Sequence, residues 1–130
     1  MNALRPWMWW LLRFAGTYNL LAGLVMLVFY HEAFKLLGMP RPKLVLPVQL
    51  VGVLVGLFGV GYHLVASSPE QNRNLLRLGF WSKLLGTALA IYTVGRGDLP
   101  GWFLVVVFFA DVIYLPPFWM IDRHIRRWAA

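Results

Sequence analysis

The sequence predicts an all-α, polytopic membrane protein in which four transmembrane helices form a compact bundle and a single domain over residues 1–130. Composition is the first reason: 60% of the residues are hydrophobic and only 13% are charged, far from the average soluble domain. The second reason is segment length, because a helix needs about 20 mostly apolar residues to cross a bilayer core. Four segments meet that length, and they cover 9–30, 46–66, 75–94 and 102–121.

The first segment is expected to be a retained helix. Its apolar part is about twice as long as the core of a secretory signal, and no small-residue cleavage pattern ends it. The link that follows, HEAFKLLGMPRPK (31–43), contains Gly38, Pro40 and Pro42. Its first half predicts a short interfacial helix before the chain turns back. The links 67–74 and 95–101 are a polar turn and a glycine- and proline-rich turn, so the four segments and their links leave no room for a separate catalytic domain.

Glycine spacing indicates how the helices pack. Gly52, Gly56 and Gly59 lie on one stripe of the second segment and include a GxxxG pair, which lets another helix approach closely. Glycines one heptad apart also occur in the first segment, at 16 and 23, and in the third, at 79 and 86. We therefore expect packing seams on three helices, and we assign these glycines no chemistry.

Asp111 is the most unusual residue of the fourth segment, because it lies about ten residues from either end and so near the bilayer midplane. An aspartate at that depth costs about 2.5 to 3.5 kcal/mol on insertion scales, so it is expected to face the bundle and to have a partner. Lys83 is the first choice, because it lies about eight residues into the third segment and its stem is flexible. Other donors at a suitable depth are Arg13, Tyr18, Asn19, Tyr92 and Tyr114.

These residues predict a polar cluster of Asp111, Lys83, Asn19 and Tyr114, with Arg13 and His63 nearer the cytoplasm. Tyr114 lies on the same helical face as Asp111, three residues later. Asn19 aligns with Lys83 in a weak internal repeat of 64 residues that starts at Arg13 and Arg77. The cluster either holds the helices together, or binds the polar head of a lipid-soluble ligand, or takes part in catalysis or transport.

Two prolines follow the cluster on the fourth segment. Pro116 and Pro117 remove two backbone donors, which is expected to free the carbonyl groups of Val112 and Ile113 and to kink the helix. A kink there would open the cytoplasmic half of the bundle.

The distribution of basic residues predicts the orientation. With an even number of spans both termini lie on one side, and eight of the 12 Lys and Arg residues fall on that side, against four on the other. This bias places the N- and C-termini in the cytoplasm. The net charge of +7 is therefore not a sign of nucleic-acid binding, and the tail DRHIRRW is expected to contact anionic lipid headgroups.

Metal and thiol chemistry find little support in the sequence. There is no cysteine, and no pair of the three histidines has the spacing of a helical metal site, so no metal site is predicted. A pigment such as haem or chlorophyll needs only one histidine, and His63 is then the candidate ligand. A quinone or another lipid is the alternative cofactor.

The helix count and the segment LLRFAGTYNLLAG, with Arg13, Gly16 and Gly23, resemble small DoxX-like bacterial inner-membrane proteins. The segment GYHLVASSPEQNRNLLRLGFWSKLLG is also similar to an uncharacterised bacterial four-span family. The resemblance implies a multi-pass protein of the bacterial inner membrane and transfers no site residue. Two alternative functions are expected. The first is an accessory or assembly subunit of a larger membrane complex, which associates with other subunits or with itself and binds a lipid, quinone or pigment. The second is a small membrane enzyme or carrier that uses Asp111 and Lys83 on a lipidic substrate.

Overall fold

The computed structural model describes residues 4–129, and the described chain is helical with no β-strand. The helices are α1 (Pro6–Val28), α2 (Tyr30–Leu36), α3 (Leu46–Ser67), α4 (Arg73–Gly95), α5 (Phe103–Ala110) and α6 (Leu115–Ala129), and a 3-10 turn over Val112–Tyr114 joins the last two. The prediction of an all-α fold is therefore confirmed.

Three helical stretches are long and apolar enough to cross a membrane: Pro6–Val28, Leu46–Ser67 and Phe103–Trp128. Helix α4 has the necessary length, 23 residues, but does not belong to this group. It carries Arg73, Arg77 and Lys83, whose charges lower its hydropathy. The structure thus supports a membrane protein with at least three apolar helices of spanning length.

The most extensive helix contact joins α1 to the antiparallel helix α3. A Cβ atom on Gly23 would lie 2.5 Å from the carbonyl oxygen of Gly52, and one on Gly59 would lie 2.6 Å from that of Gly16. The two glycine pairs are seven residues apart on each helix, so they follow one face of each helix. Their missing side chains let the two backbones touch, as the sequence pattern predicts for Gly52 and Gly59.

Gly56 differs from its neighbours on the predicted stripe. Its backbone lies in the seam, since a Cβ atom on Gly23 would be 2.8 Å from the Gly56 nitrogen. A Cβ atom on Gly56 itself would meet no atom within 4 Å. The stripe of Gly52, Gly56 and Gly59 is therefore tight at its two ends and open in the middle.

The apolar core lies at one end of the bundle, where α1 begins, α3 ends, α4 begins and α6 runs alongside. Its members are the buried side chains Met8, Leu12, Ala15, Tyr62, Val65, Ala66, Leu76, Tyr114, Phe118, Ile121 and Ile125. The ion pair between Arg73 and Asp122, at 2.7 Å, joins α4 to α6 at the same end. The opposite end, around α2 and α5, contributes no residue to this core.

Helix α2 is the predicted short helix of the first link. It has no buried residue, and Gly38, two residues after its end, has a φ of 68°, which suits glycine better than any other residue. The amide of Gly38 donates to the carbonyl of Lys35, and that of Met39 donates to Phe34, which is the bonding pattern of a Schellman motif. The chain thereby turns back from α2 towards α3.

The fourth apolar segment, predicted over 102–121 with a kink at the prolines that frees the carbonyls of Val112 and Ile113, is interrupted earlier, at Asp111, and the carbonyl of Val112 accepts from the amide of Leu115. Helix α5 stops at Ala110, and Asp111 leaves the helical region with φ −130° and ψ −53°. Pro116 and Pro117 cannot donate hydrogen bonds, but the first turn of a helix has free amides in any case, so both are accommodated at the start of α6. The prolines therefore fix a new helix start, and the break lies one turn before them.

Candidate functional site

Lys83 of α4 reaches the break between α5 and α6. In a continuous helix the amide of Tyr114 would bond to the carbonyl of Ala110, but here it donates to the carbonyl of Asp111, at 3.1 Å. The Nζ of Lys83 donates to the Ala110 oxygen instead, at 2.9 Å. A lysine thus satisfies a backbone acceptor that the break exposes, which apolar surroundings would otherwise penalise heavily.

Asp111 lies beside the same ammonium group. Its Oδ1 is 3.5 Å from the Nζ of Lys83, so the predicted ion pair is present but longer than the bond to Ala110. Lys83 is buried, with 6% of its side chain exposed, whereas Asp111 is 28% exposed. Oδ2 of Asp111 faces α4 at Gly86, where an added Cβ atom would lie 4.0 Å away. The carboxylate therefore contacts Lys83 through one oxygen and is otherwise partly exposed.

Aromatic rings complete the surroundings of Lys83. Its Nζ is 4.8 Å from the ring centre of Tyr114 and 5.8 Å from that of Tyr62, both within the range of cation–π attraction. Tyr62 fits because Gly79 of α4 has no side chain, since a Cβ atom there would lie 2.5 Å from the ring. The ammonium group is thus held by a carboxylate, a carbonyl group and two rings.

A cavity of about 230 Å³ lies beside this group, between α1, α3, α4 and the end of α5. Its polar lining consists of Tyr18, Asn19, Tyr62, Ser82, Lys83 and Asp111. We call it the polar cavity. Asn19 lines it as the sequence predicts, but its amide nitrogen donates to the carbonyl of Val55 of α3, at 3.2 Å, rather than to the charged pair.

A second cavity of about 580 Å³ lies towards α2, and its lining is almost entirely apolar. We call it the apolar cavity. Its walls come from α1, α2, the link to α3, the start of α3, and α5, and include Val25, Phe34, Val48 and Phe103. Tyr18, Ala22 and Met26 line both cavities, so the two cavities lie side by side along one face of α1.

Arg13 and His63 form a separate cluster between α1 and α3. The Nη1 of Arg13 is 3.1 Å from Nδ1 of His63, and its Nη2 donates to Ser67 at 3.0 Å. Because an arginine cannot accept a hydrogen bond, Nδ1 accepts, and Nε2 then carries the proton and faces the hydroxyl of Thr17 at 3.3 Å. These two predicted site residues therefore lie outside the Lys83 group.

The geometry of His63 does not favour a pigment ligand. Both ring nitrogens have partners, and the ring packs on α1 where a Cβ atom on Gly16 would lie 2.5 Å from Cδ2. A bond to iron or magnesium would require one of these contacts to break. Over residues 4–129 no three His, Cys, Asp or Glu side chains come together as a metal site.

The sequence singled out Lys83, Asp111, Asn19 and Tyr114, and the structure places all four around the polar cavity or the ammonium group. Tyr62 was missed, because a tyrosine in an apolar helix gives no pattern that distinguishes it from core. The apolar cavity was also missed, since its walls come from five segments whose relative placement is a tertiary property.

Comparisons of the chain with protein-family models, with curated protein sequences and with solved structures find no match. The resemblance to DoxX-like proteins therefore remains an expectation from the sequence.

Proposed function

We propose that this protein is a small, non-catalytic membrane subunit that binds a lipid-soluble ligand inside its helical bundle. The observation that carries the proposal is that an apolar cavity of about 580 Å³ and a polar cavity of about 230 Å³ share three lining residues on one face of α1, and the ligand occupies both across this junction. Ligand sites are commonly of this size and combine apolar walls with a few polar groups that fix orientation.

The lining favours a ligand with a long apolar chain and one small polar head. The apolar chain of this ligand would lie in the apolar cavity, between α2 and α5. Its polar head would reach the polar cavity beside Lys83 and Asp111. Tyrosine hydroxyls and the Lys83 ammonium group donate hydrogen bonds, so a head with oxygen acceptors fits best. An isoprenoid quinone or a related isoprenoid lipid has this chemistry.

The charged pair supports binding rather than turnover. Lys83 already donates to Ala110 and lies next to Asp111, so both charges are largely engaged within the protein. No second carboxylate lines the polar cavity, so general acid–base catalysis by paired carboxylates has no counterpart there. The alternative is an enzyme or carrier that acts on a lipid through Lys83 and Asp111. An enzyme would change the bound lipid chemically, whereas a binding subunit would leave it unchanged.

We further propose that α4 crosses the membrane as a fourth span, with both termini in the cytoplasm of a bacterial inner membrane. The length of α4 supports a crossing, and packing of Lys83 inside the bundle removes its charge from lipid. The Lys and Arg bias supports the orientation. Association with other membrane subunits is part of this proposal, and co-purification tests it.

Single cysteines on either side of α4 test whether it crosses. The chain has no cysteine, so Glu70→Cys, in the link before α4, and Asp98→Cys, in the link after it, each introduce a unique thiol. Both positions are exposed. We expect Asp98→Cys to react with a membrane-impermeant maleimide added outside the cells, and Glu70→Cys to react only after lysis. Labelling of both from one side would contradict a crossing by α4.

The ligand is tested by purifying the protein in a mild detergent and identifying bound lipids by mass spectrometry. We expect an isoprenoid lipid to co-purify in a stoichiometric amount and unchanged. Ala22 lines both cavities, so Ala22→Phe is expected to fill the junction and to reduce the bound lipid at least about tenfold. The loss follows because the larger side chain occupies the space of the ligand.

Ala88→Phe is the matched control, because it makes the same change on an exposed face of α4. It should leave the bound lipid within about twofold of the original protein. Equal lipid retention by Ala22→Phe and Ala88→Phe would reject the site. Recovery of the bound lipid in a chemically altered form would instead support the enzyme.

A further inference from the structure

A third cavity, of about 270 Å³, lies at the end of the bundle where α1 begins and α6 ends. Its lining includes Arg5, Trp7, Trp119, Arg123, His124 and Arg127. We call it the basic cavity. It shares no lining residue with the polar or the apolar cavity, so it does not depend on the ligand proposed above.

Three arginines line the basic cavity, and none of the aspartates and glutamates within residues 4–129 does. Among the described residues its positive charge has no acidic counterpart in the lining. The nearest acid along α6 is Asp122, whose carboxylate is held by Arg73 of α4 at 2.7 Å. A cavity with several guanidinium groups and no carboxylate attracts an anion, and planar guanidinium groups suit the oxygen atoms of a phosphate.

Arg123 is held in place for such a role. Its guanidinium carbon lies 4.7 Å from the ring centre of Trp119, so the side chain is stacked on the tryptophan rather than extended into solvent. Its Nε is buried and has no hydrogen-bond partner on the described part of the chain. A buried donor without an acceptor is unfavourable, and Arg123 lines the basic cavity, where a phosphate oxygen would be an acceptor for its guanidinium group.

The tryptophans indicate the depth of the basic cavity. Trp7 and Trp119 are both partly exposed at this end of the bundle, where indole rings prefer the level of lipid headgroups. Phosphate groups of phospholipids occupy the same level. We propose that the basic cavity binds a phosphate group, which either an anionic phospholipid or free phosphate can supply.

Neighbouring arginines on α6 provide the test. Arg127 lines the basic cavity and Arg126 does not, yet both are exposed and belong to the last turn of one helix. A general attraction of the basic tail to an anionic surface would weaken equally when either is replaced. A defined phosphate site weakens only with Arg127.

The full chain in neutral detergent is titrated with phosphatidylglycerol, with phosphatidylcholine and with inorganic phosphate, and bound molecules are counted by native mass spectrometry. For phosphatidylglycerol, Arg127→Gln is expected to lower affinity about tenfold, and Arg126→Gln by no more than about twofold at moderate salt. Arg123→Gln is expected to act at least as strongly as Arg127→Gln. Its unfolding temperature, measured in parallel, shows whether the protein remains folded.

The three titrations separate the sources of the phosphate. Preference for phosphatidylglycerol over phosphatidylcholine, with dependence on Arg127, supports a lipid headgroup. Binding of inorganic phosphate with the same dependence supports free phosphate. Equal effects of Arg126→Gln and Arg127→Gln, or no binding of either anion, would overturn the proposal.

Discussion

Replacing Gly23 by alanine is expected to destabilise the protein by about 3 kcal/mol, although it adds only one methyl group. The new Cβ atom would lie 2.5 Å from the carbonyl oxygen of Gly52 and 2.8 Å from the amide nitrogen of Gly56. Both are backbone atoms, so no side chain can rotate away and α1 must move off α3. Gly59→Ala is expected to act similarly, because its Cβ atom would lie 2.6 Å from the Gly16 oxygen.

Gly56→Ala is the matched control for these two variants. Its Cβ atom would meet nothing within 4 Å, and alanine favours a helix over glycine by about 0.5 to 1 kcal/mol. We expect unchanged or slightly higher stability. Unfolding of the purified proteins in detergent, followed by circular dichroism, measures all three. Equal stability of the Gly23→Ala and Gly56→Ala variants would contradict a direct backbone contact between α1 and α3 at Gly23.

Asp111→Asn is expected to lower the free energy of unfolding by about 2 kcal/mol, because Lys83 keeps its charge in a buried position without a counter-charge. The value lies below that of a fully buried pair, since Asp111 is 28% exposed and 3.5 Å from the Nζ of Lys83. Combining Asp111→Asn with Lys83→Met removes both charges. We expect the double variant to lose clearly less than the two single losses added together.

Recovery in the double variant should be incomplete, because Lys83→Met also leaves the carbonyl of Ala110 without its donor. Arg73 and Asp122 provide a comparison pair nearer the end of the bundle, with side chains 27% and 22% exposed. A double-mutant cycle on Arg73 and Asp122 should give an interaction free energy of only about 0.5 to 1 kcal/mol. Additive effects at Asp111 and Lys83 would show that the two residues do not act together.

The sequence predicted those features of the fold and the site that depend on the spacing of residues within one helix. Three of the four apolar segments, the contacts of Gly52 and Gly59, and the proximity of Lys83 to Asp111 all follow from residue spacing. The break at Asp111 was not predicted in the right place, because the prolines indicate where a helix can restart and leave open which carbonyl lacks a donor. That carbonyl belongs to Ala110, and its partner Lys83 comes from a different helix.

The one-sided position of the apolar core has a consequence for local stability. Core side chains hold the end of the bundle near Leu12, Leu76 and Ile121, whereas α2 has no buried residue and α5 has only Val107. Cooperative units with little buried surface open at a lower free energy than the rest of a protein. Amide hydrogens of α2 and α5 should therefore exchange with solvent deuterium well before those of the α1–α3 seam. If the proposed lipid binds, we expect it to enter and leave through this less stable end, while the opposite end stays folded.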